Sequence, residues 1–186
     1  MKIIIIDSGI DKSHNIFKRC IINGYSIING KLDSDYNDEF GHGTAVASII
    51  CKNIKDVFEL LCVKIFKNEF AESTDLLIAL NLIYETEEPS IINISAGVTQ
   101  TELKYELNEI CSKLREKGFI IIAGYDNYGA ISYPAYFDSV IGVVGSNQLK
   151  RNEEYIYIEN SPINIIAKGV AQTLLWKNGE TNYVRN

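Results

Sequence analysis

His42 stands between Gly41 and Gly43, at the head of the run Thr44-Ala45-Val46-Ala47-Ser48-Ile49-Ile50, and is one of two histidines among 186 residues. An imidazole titrates near neutrality, so it can accept a proton and return it within one reaction cycle. Glycine on both sides lets another backbone or a ligand come close to the ring, and Gly41 can take a turn geometry closed to other residues. The small and apolar residues that follow describe a buried helix reaching about Asn53. A histidine that merely caps a core helix has the same local pattern. An acidic turn occurs near the start of the chain, where Ile3-Ile4-Ile5-Ile6 runs into Asp7-Ser8-Gly9-Ile10-Asp11.

Strands and helices alternate around these groups. Ile3 to Ile6 reads as a central strand buried on both faces. Ile21-Ile22 and Tyr25 to Ile28 read as a short strand pair around Asn23-Gly24, followed by a polar loop from Lys31 to Glu39. Leu60 to Phe66, Ser90 to Ser95, Phe119 to Ala123, Val140 to Val144 and Ile163 to Ala167 read as further strands. A helix from about Ser73 to Glu87 carries Leu76, Ala79, Leu80 and Ile83 on one stripe. Another follows a Thr99-x-x-Glu102 capping box, carries Leu103, Leu107, Ile110, Cys111 and Leu114, and closes at Gly118.

This alternation predicts an α/β fold, a doubly wound three-layer sandwich with a mostly parallel central sheet. With no repeat or linker, residues 1–186 are expected to form a single domain. Ligands of such sheets bind beyond the carboxyl ends of the strands, near the point where strand order reverses. Asp7, Ser95-Ala96-Gly97 and Gly124-Tyr125-Asp126-Asn127 fall at those ends, and the His42 helix should start at the same edge. A carboxylate, an imidazole and amide donors are thus expected on one face.

Composition narrows the function classes. A formal charge of −6 and a pI of about 5.0 argue against a nucleic-acid partner. No apolar run reaches the length of a membrane span, and Lys2 to Ile6 is too short for the core of a signal peptide, so no membrane association and a cytoplasmic location are expected. Cys20, Cys51, Cys62 and Cys111 are scattered without C-x-x-C spacing, which predicts reduced, mostly buried thiols and no metal site. Neither a Gly-x-Gly-x-x-Gly nor a P-loop occurs, so a nucleotide-binding domain is disfavoured and no cofactor is expected.

Ile5-Ile6-Asp7-Ser8-Gly9-Ile10-Asp11, Gly41-His42-Gly43-Thr44 with Val46-Ala47, Val63-Lys64-Ile65, Asn93-Ile94-Ser95-Ala96-Gly97, Ser132-Tyr133-Pro134-Ala135, and Ser139-Val140-Ile141-Gly142-Val143 occur in this order. The series resembles the catalytic domain of subtilisin-like serine proteases over essentially the whole chain. The resemblance implies a subtilisin-like fold and peptide-bond hydrolysis by an Asp-His-Ser triad. His42 would be the general base and Asp7 would fix its tautomer. Ser95, Ala96 and Gly97 would pair with an extended peptide or protein substrate, with Tyr133 and Pro134 walling the adjoining pocket.

Two departures stand out. Where the family reads Ala-Gly-Asn, with the amide as oxyanion donor, this chain reads Ala123-Gly124-Tyr125-Asp126-Asn127. Strict register puts Tyr125 there, and a longer turn would present Asn127 instead. The family's nucleophile lies in a Gly-Thr-Ser-x-Ala-x-Pro segment that opens a long helix. After Ala167-Lys168-Gly169 the chain continues to Asn186 without such a segment. The resemblance therefore implies a C-terminally incomplete domain, truncated before the nucleophile helix, with an apolar groove where that helix would sit. A longer chain or a second polypeptide could supply the serine helix. A catalytically inactive pseudoprotease acting as a peptide-binding or regulatory module is the alternative. The calcium loop that the family often inserts between Asn53 and Leu60 looks absent.

Overall fold

The computed structural model describes residues 1–68, 70–125 and 130–184. The chain runs from β1 (Lys2–Asp7) through a 3₁₀ turn (Asn15–Arg19) to β2 (Ile21–Ile28), β3 (Lys31–Asp33), α1 (His42–Asn53) and β4 (Glu59–Lys64). A small ribbon of β5 (Phe66–Lys67) and β6 (Phe70–Ala71) precedes α2 (Ser73–Thr86), β7 (Ile91–Ile94), α3 (Lys104–Lys117), β8 (Ile120–Gly124) and β9 (Ile141–Ser146). Then come β10 (Tyr155–Tyr157), β11 (Ile165–Lys168) and a hairpin of β12 (Gln172–Leu175) and β13 (Thr181–Val184).

Among the described residues one large sheet has the order β10-β11-β9-β8-β7-β1-β4-β2-β3. Pairing is parallel from β11 to β2, and only the edge strands β10 and β3 run antiparallel. The molecule is thus an α/β sandwich with a mostly parallel central sheet. From β1 the chain builds β2 and β4 on one side and later β7, β8 and β9 on the other. That reversal leaves a crevice at the carboxyl end of β1, where Asp7 is the last residue.

Side chains alternate along β1, which sorts its isoleucines between two cores. Ile4 and Ile6 pack under α2 and α3 with Leu80, Ile83, Leu107 and Leu114, whereas Ile3 and Ile5 pack with Ala47 and Cys51 of α1. Each fully buried Leu or Ile contributes about 1.5–3 kcal/mol relative to an exposed one. Asp7 shares the parity of Ile3 and Ile5 and so emerges on the α1 face.

Coverage of that face is uneven. Over β7, β8, β9 and β11 no helix of the described residues lies on the α1 side. The register aligns Asn93, Ile122, Ile141, Val143 and Ile165 along this strip, and they are only half-buried. Ile120, on the same side, is 49 % exposed.

Three local expectations are corrected. Ile21–Ile28 is one continuous strand, not a pair turning at Asn23-Gly24. Gly24 serves close packing instead: a Cβ there would come 2.6 Å from the Cys62 carbonyl oxygen and 2.7 Å from the Tyr36 ring. Part of the expected Lys31 to Glu39 loop is strand β3. The Thr99-x-x-Glu102 box does not open α3, which starts at Lys104. Instead Leu103 donates its N–H to Thr101 Oγ1 at 3.0 Å. Gly118 does close α3, at φ 104°.

Candidate active site

His42 is the first residue of α1, and its Nδ1 lies 2.9 Å from Asp7 Oδ1 and 3.0 Å from Asp7 Oδ2. A carboxylate only accepts here, so the neutral ring carries its proton on Nδ1 and keeps the Nε2 lone pair free for a proton. Asp7 is fully buried and also accepts the Ser8 N–H at 2.7 Å, while the His42 side chain is 42 % exposed. The Asp7 charge holds the imidazole pKa above its ordinary 6.5 against the opposing effect of burial, helped by the hydrogen bond and by Asp38.

Asp38 organises the start of α1, and sequence reading passed over it as part of a polar loop. Its Oδ1 accepts from Ser8 Oγ, Phe40 N and Gly41 N, and its Oδ2 accepts from Thr44 N and Thr44 Oγ1, all between 2.6 and 3.0 Å. Ser8 Oγ in turn accepts the Gly43 N–H at 2.9 Å, so the turn after β1 and the first turn of α1 form one buried unit. These bonds satisfy helix N–H groups that would otherwise lack partners, and the carboxylate complements the helix dipole. An acidic residue just ahead of a helix start was the available signal.

The glycines around His42 are demanded by this packing. Gly41 has φ 110°, and a Cβ there would lie 2.3 Å from the Trp176 indole; a Cβ on Gly43 would lie 2.2 Å from the Gly9 carbonyl oxygen. His14 Nε2–H donates to the Trp176 carbonyl oxygen at 2.6 Å, and Gly179 N–H donates to Asp11 Oδ2 at 2.8 Å. The β12–β13 hairpin is thereby tied to the turn after β1. Nothing in the sequence pattern links residues so far apart.

His42 lines a cleft of about 510 Å³ together with Val46, Asn93, Ser95, Gly97, Ile122, Gly124 and Val143. Ser95 N–H bonds to Ile6 carbonyl oxygen at 3.3 Å, and Ser95 Oγ accepts from Asn93 Nδ2 at 3.1 Å. Ala96 is buried and Gly97 exposed, and among the described residues their N–H groups have no backbone partner. Val98 and Tyr133 then exchange backbone hydrogen bonds, both 2.9 Å, which sets Tyr133 and Pro134 beside the extended segment. The Tyr133 ring stacks on Phe137 at 5.1 Å, with Lys104 Nζ over it at 4.9 Å.

Tyr125 borders the cleft, but its ring packs toward the α2–α3 core beneath Gly142. Its hydroxyl is buried and has no hydrogen-bond partner among the described residues. Asn127 lies outside the described residues. Among them, no cluster of three or more His, Cys, Asp or Glu is arranged to hold a metal, and no helix is long and apolar enough to cross a membrane.

Residues 1–183 match the Subtilase family (Peptidase_S8). The major intracellular serine protease of Bacillus subtilis (strain 168) is 30 % identical over 190 residues, covering 91 % of this chain and 58 % of that protein. The chain therefore spans less than two thirds of that relative's length. The crystal structure of a cold adapted subtilisin-like serine proteinase has a TM-score of 0.79 at 20 % identity, covering 100 % of this chain and 68 % of that one. The epidermin leader peptide processing serine protease of Staphylococcus aureus gives 0.77 at 18 % identity, covering 100 % of this chain and 61 % of that one. At such identities the two structures speak to the fold.

Proposed function

The chain belongs to the subtilase family, and from that premise we propose that it provides the Asp–His half of a subtilisin-type serine endopeptidase. Its substrate is an extended peptide or protein segment. The observation that carries this reading is the Asp7–His42 pair. Both carboxylate oxygens lie within 3.0 Å of Nδ1, and the ring lines an open cleft.

Nε2 of His42 takes the proton of a serine hydroxyl as it attacks the scissile carbonyl, then returns it to the leaving amine. Asp7 holds the ring tautomer and stabilises the imidazolium. The extended segment Ser95-Ala96-Gly97 pairs through its backbone with the substrate, which lies along it with Tyr133 and Pro134 walling the adjoining pocket. The developing oxyanion is assigned to the Asn127 amide, because the Tyr125 hydroxyl is taken up in the core. No cofactor is required.

The nucleophile is assigned to a Gly-Thr-Ser-like helix outside these 186 residues, either further along the same polypeptide or on a second one. The half-buried strip of Ile122, Ile141, Val143 and Ile165 supports that assignment as the seat of an apolar helix face. A cytoplasmic location is favoured by the word intracellular in the name of the Bacillus relative.

A serine-directed fluorophosphonate tests the reading. The assembled protein is expected to be labelled and to hydrolyse peptides in a manner abolished by His42→Ala, whereas the 186-residue chain alone is not labelled. Labelling of this chain alone overturns the placement of the serine. Peptide binding by the assembled protein without turnover favours instead the inactive, peptide-binding module.

A further inference from the structure

Cys20 Sγ and Cys51 Sγ lie 2.9 Å apart, and both are free thiols. A disulfide bond is about 2.05 Å long, so the sulfurs are within about 0.9 Å of bonding distance. Cys20 follows the 3₁₀ turn and is half-buried; Cys51 lies in the last turn of α1 and is fully buried. The two elements are already clamped. The Arg19 guanidinium donates to the Ile54 and Lys55 carbonyl oxygens at 2.6 and 2.9 Å, and Phe17 and Ile16 share one core cluster with Cys51. Neither thiol belongs to the site around His42, which begins the same helix about 13 Å away along its axis.

We propose that Cys20 and Cys51 form a reversible thiol–disulfide pair, closed by a small-molecule disulfide of the glutathione class, which ties the 3₁₀ turn to the helix that carries His42. Closure takes two exchange steps. The Cys20 thiolate, within reach of solvent, attacks one sulfur of glutathione disulfide and expels a glutathione thiolate, leaving a mixed disulfide on Cys20. Cys51 then loses its proton and attacks Cys20 Sγ, expelling the second glutathione thiolate. The protein gives up two electrons, and the protons of both its thiols pass to the two glutathiones. Burial pushes the Cys51 thiol well above the ordinary range, so the half-exposed Cys20 attacks first, and the contact between the two sulfurs lets Cys51 follow.

The test equilibrates the purified chain with oxidised glutathione, alkylates remaining thiols and maps them by peptide mass spectrometry. Cys62 and Cys111 are expected to be alkylated and Cys20 and Cys51 recovered as one cross-linked peptide pair. The thermal midpoint should rise by about 10 °C, reversibly with dithiothreitol. In Cys20→Ser, oxidised glutathione should leave both the midpoint and the Cys51 thiol unchanged. Alkylation of all four thiols overturns the proposal, as does a glutathione adduct persisting on Cys20 in the unsubstituted protein. A bond that forms without raising the midpoint overturns the tether.

Discussion

The two faces of the central sheet, built from the same few strands, do different work. Under α2 and α3, Ile92, Ile94, Ile121 and Ala123 are sealed to 1 % exposure or less. On the opposite side of the same strands, Ile122, Ile141 and Val143 are half-exposed and Asn93 and Ser95 border an open cleft. One face is a finished core. The other is part core, under α1, and part open strip beside the Asp7–His42 pair. Alternation along a strand sends neighbours to opposite faces, so stability and chemistry can be separated residue by residue.

The largest expected effect belongs to the open face. His42→Ala should lower kcat of the assembled protease by about 10⁶-fold, roughly 8 kcal/mol of transition-state stabilisation, measured on a chromogenic peptide. Its stability cost in urea unfolding should be only about 1–2 kcal/mol, from leaving the buried Asp7 carboxylate short of a partner. A stability loss as large as the rate loss would merge the two roles.

The covered face should behave in the opposite way. Leu80→Ala in α2 empties a fully buried site and should cost about 2–5 kcal/mol in denaturant, with the Asp7–His42 geometry kept. Asp38→Asn should cost about 2 kcal/mol. The new amide would set a donor against Thr44 N–H or against the group of donors now served by the other oxygen. Ile122→Ser on the open strip should cost under about 1 kcal/mol in this chain. A loss equal to that of Leu80→Ala would mean that the strip is as well packed as the core.

The smallest effect is a pH dependence. The folded state raises the His42 pKa above 6.5, so it favours the protonated ring. The resulting stabilisation is complete below pH of about 6.5, fades as pH rises through the folded pKa, and is absent above it. Asp7→Asn removes the main cause, and the His42 titration followed by NMR should move to lower pH. An unchanged midpoint would mean that the Asp7 charge does not govern this ring.

Much of this arrangement could be read from residue order. Continuous aliphatic runs such as Ile3–Ile6 mark strands buried on both faces, and helical spacing of Leu76, Leu80 and Ile83 marks α2. That Asp7 and His42 share one edge of the sheet follows from where strand ends and a helix start must meet, and their pairing is what the resemblance to the family's motifs implies. At Gly24 the sequence points to a turn because glycine marks a turn as readily as a close approach, and only Cys62 and Tyr36 packed against it decide between the two. Tyr125 was weighed as a donor at a strand end, yet parity sends its ring to the other face, and a shift of one residue in a strand's end decides that.

The sequence by itself determined the class of fold and the helix that begins at His42, because these depend on local periodicity and chain order, and the motif series that resembles the family pointed to the carboxylate that serves it. Only the tertiary structure decided that Trp176 closes over Gly41, that Cys20 meets Cys51, and which half of a sheet face stays open. Those contacts join residues separated by tens of positions or more, through packing that no local pattern encodes.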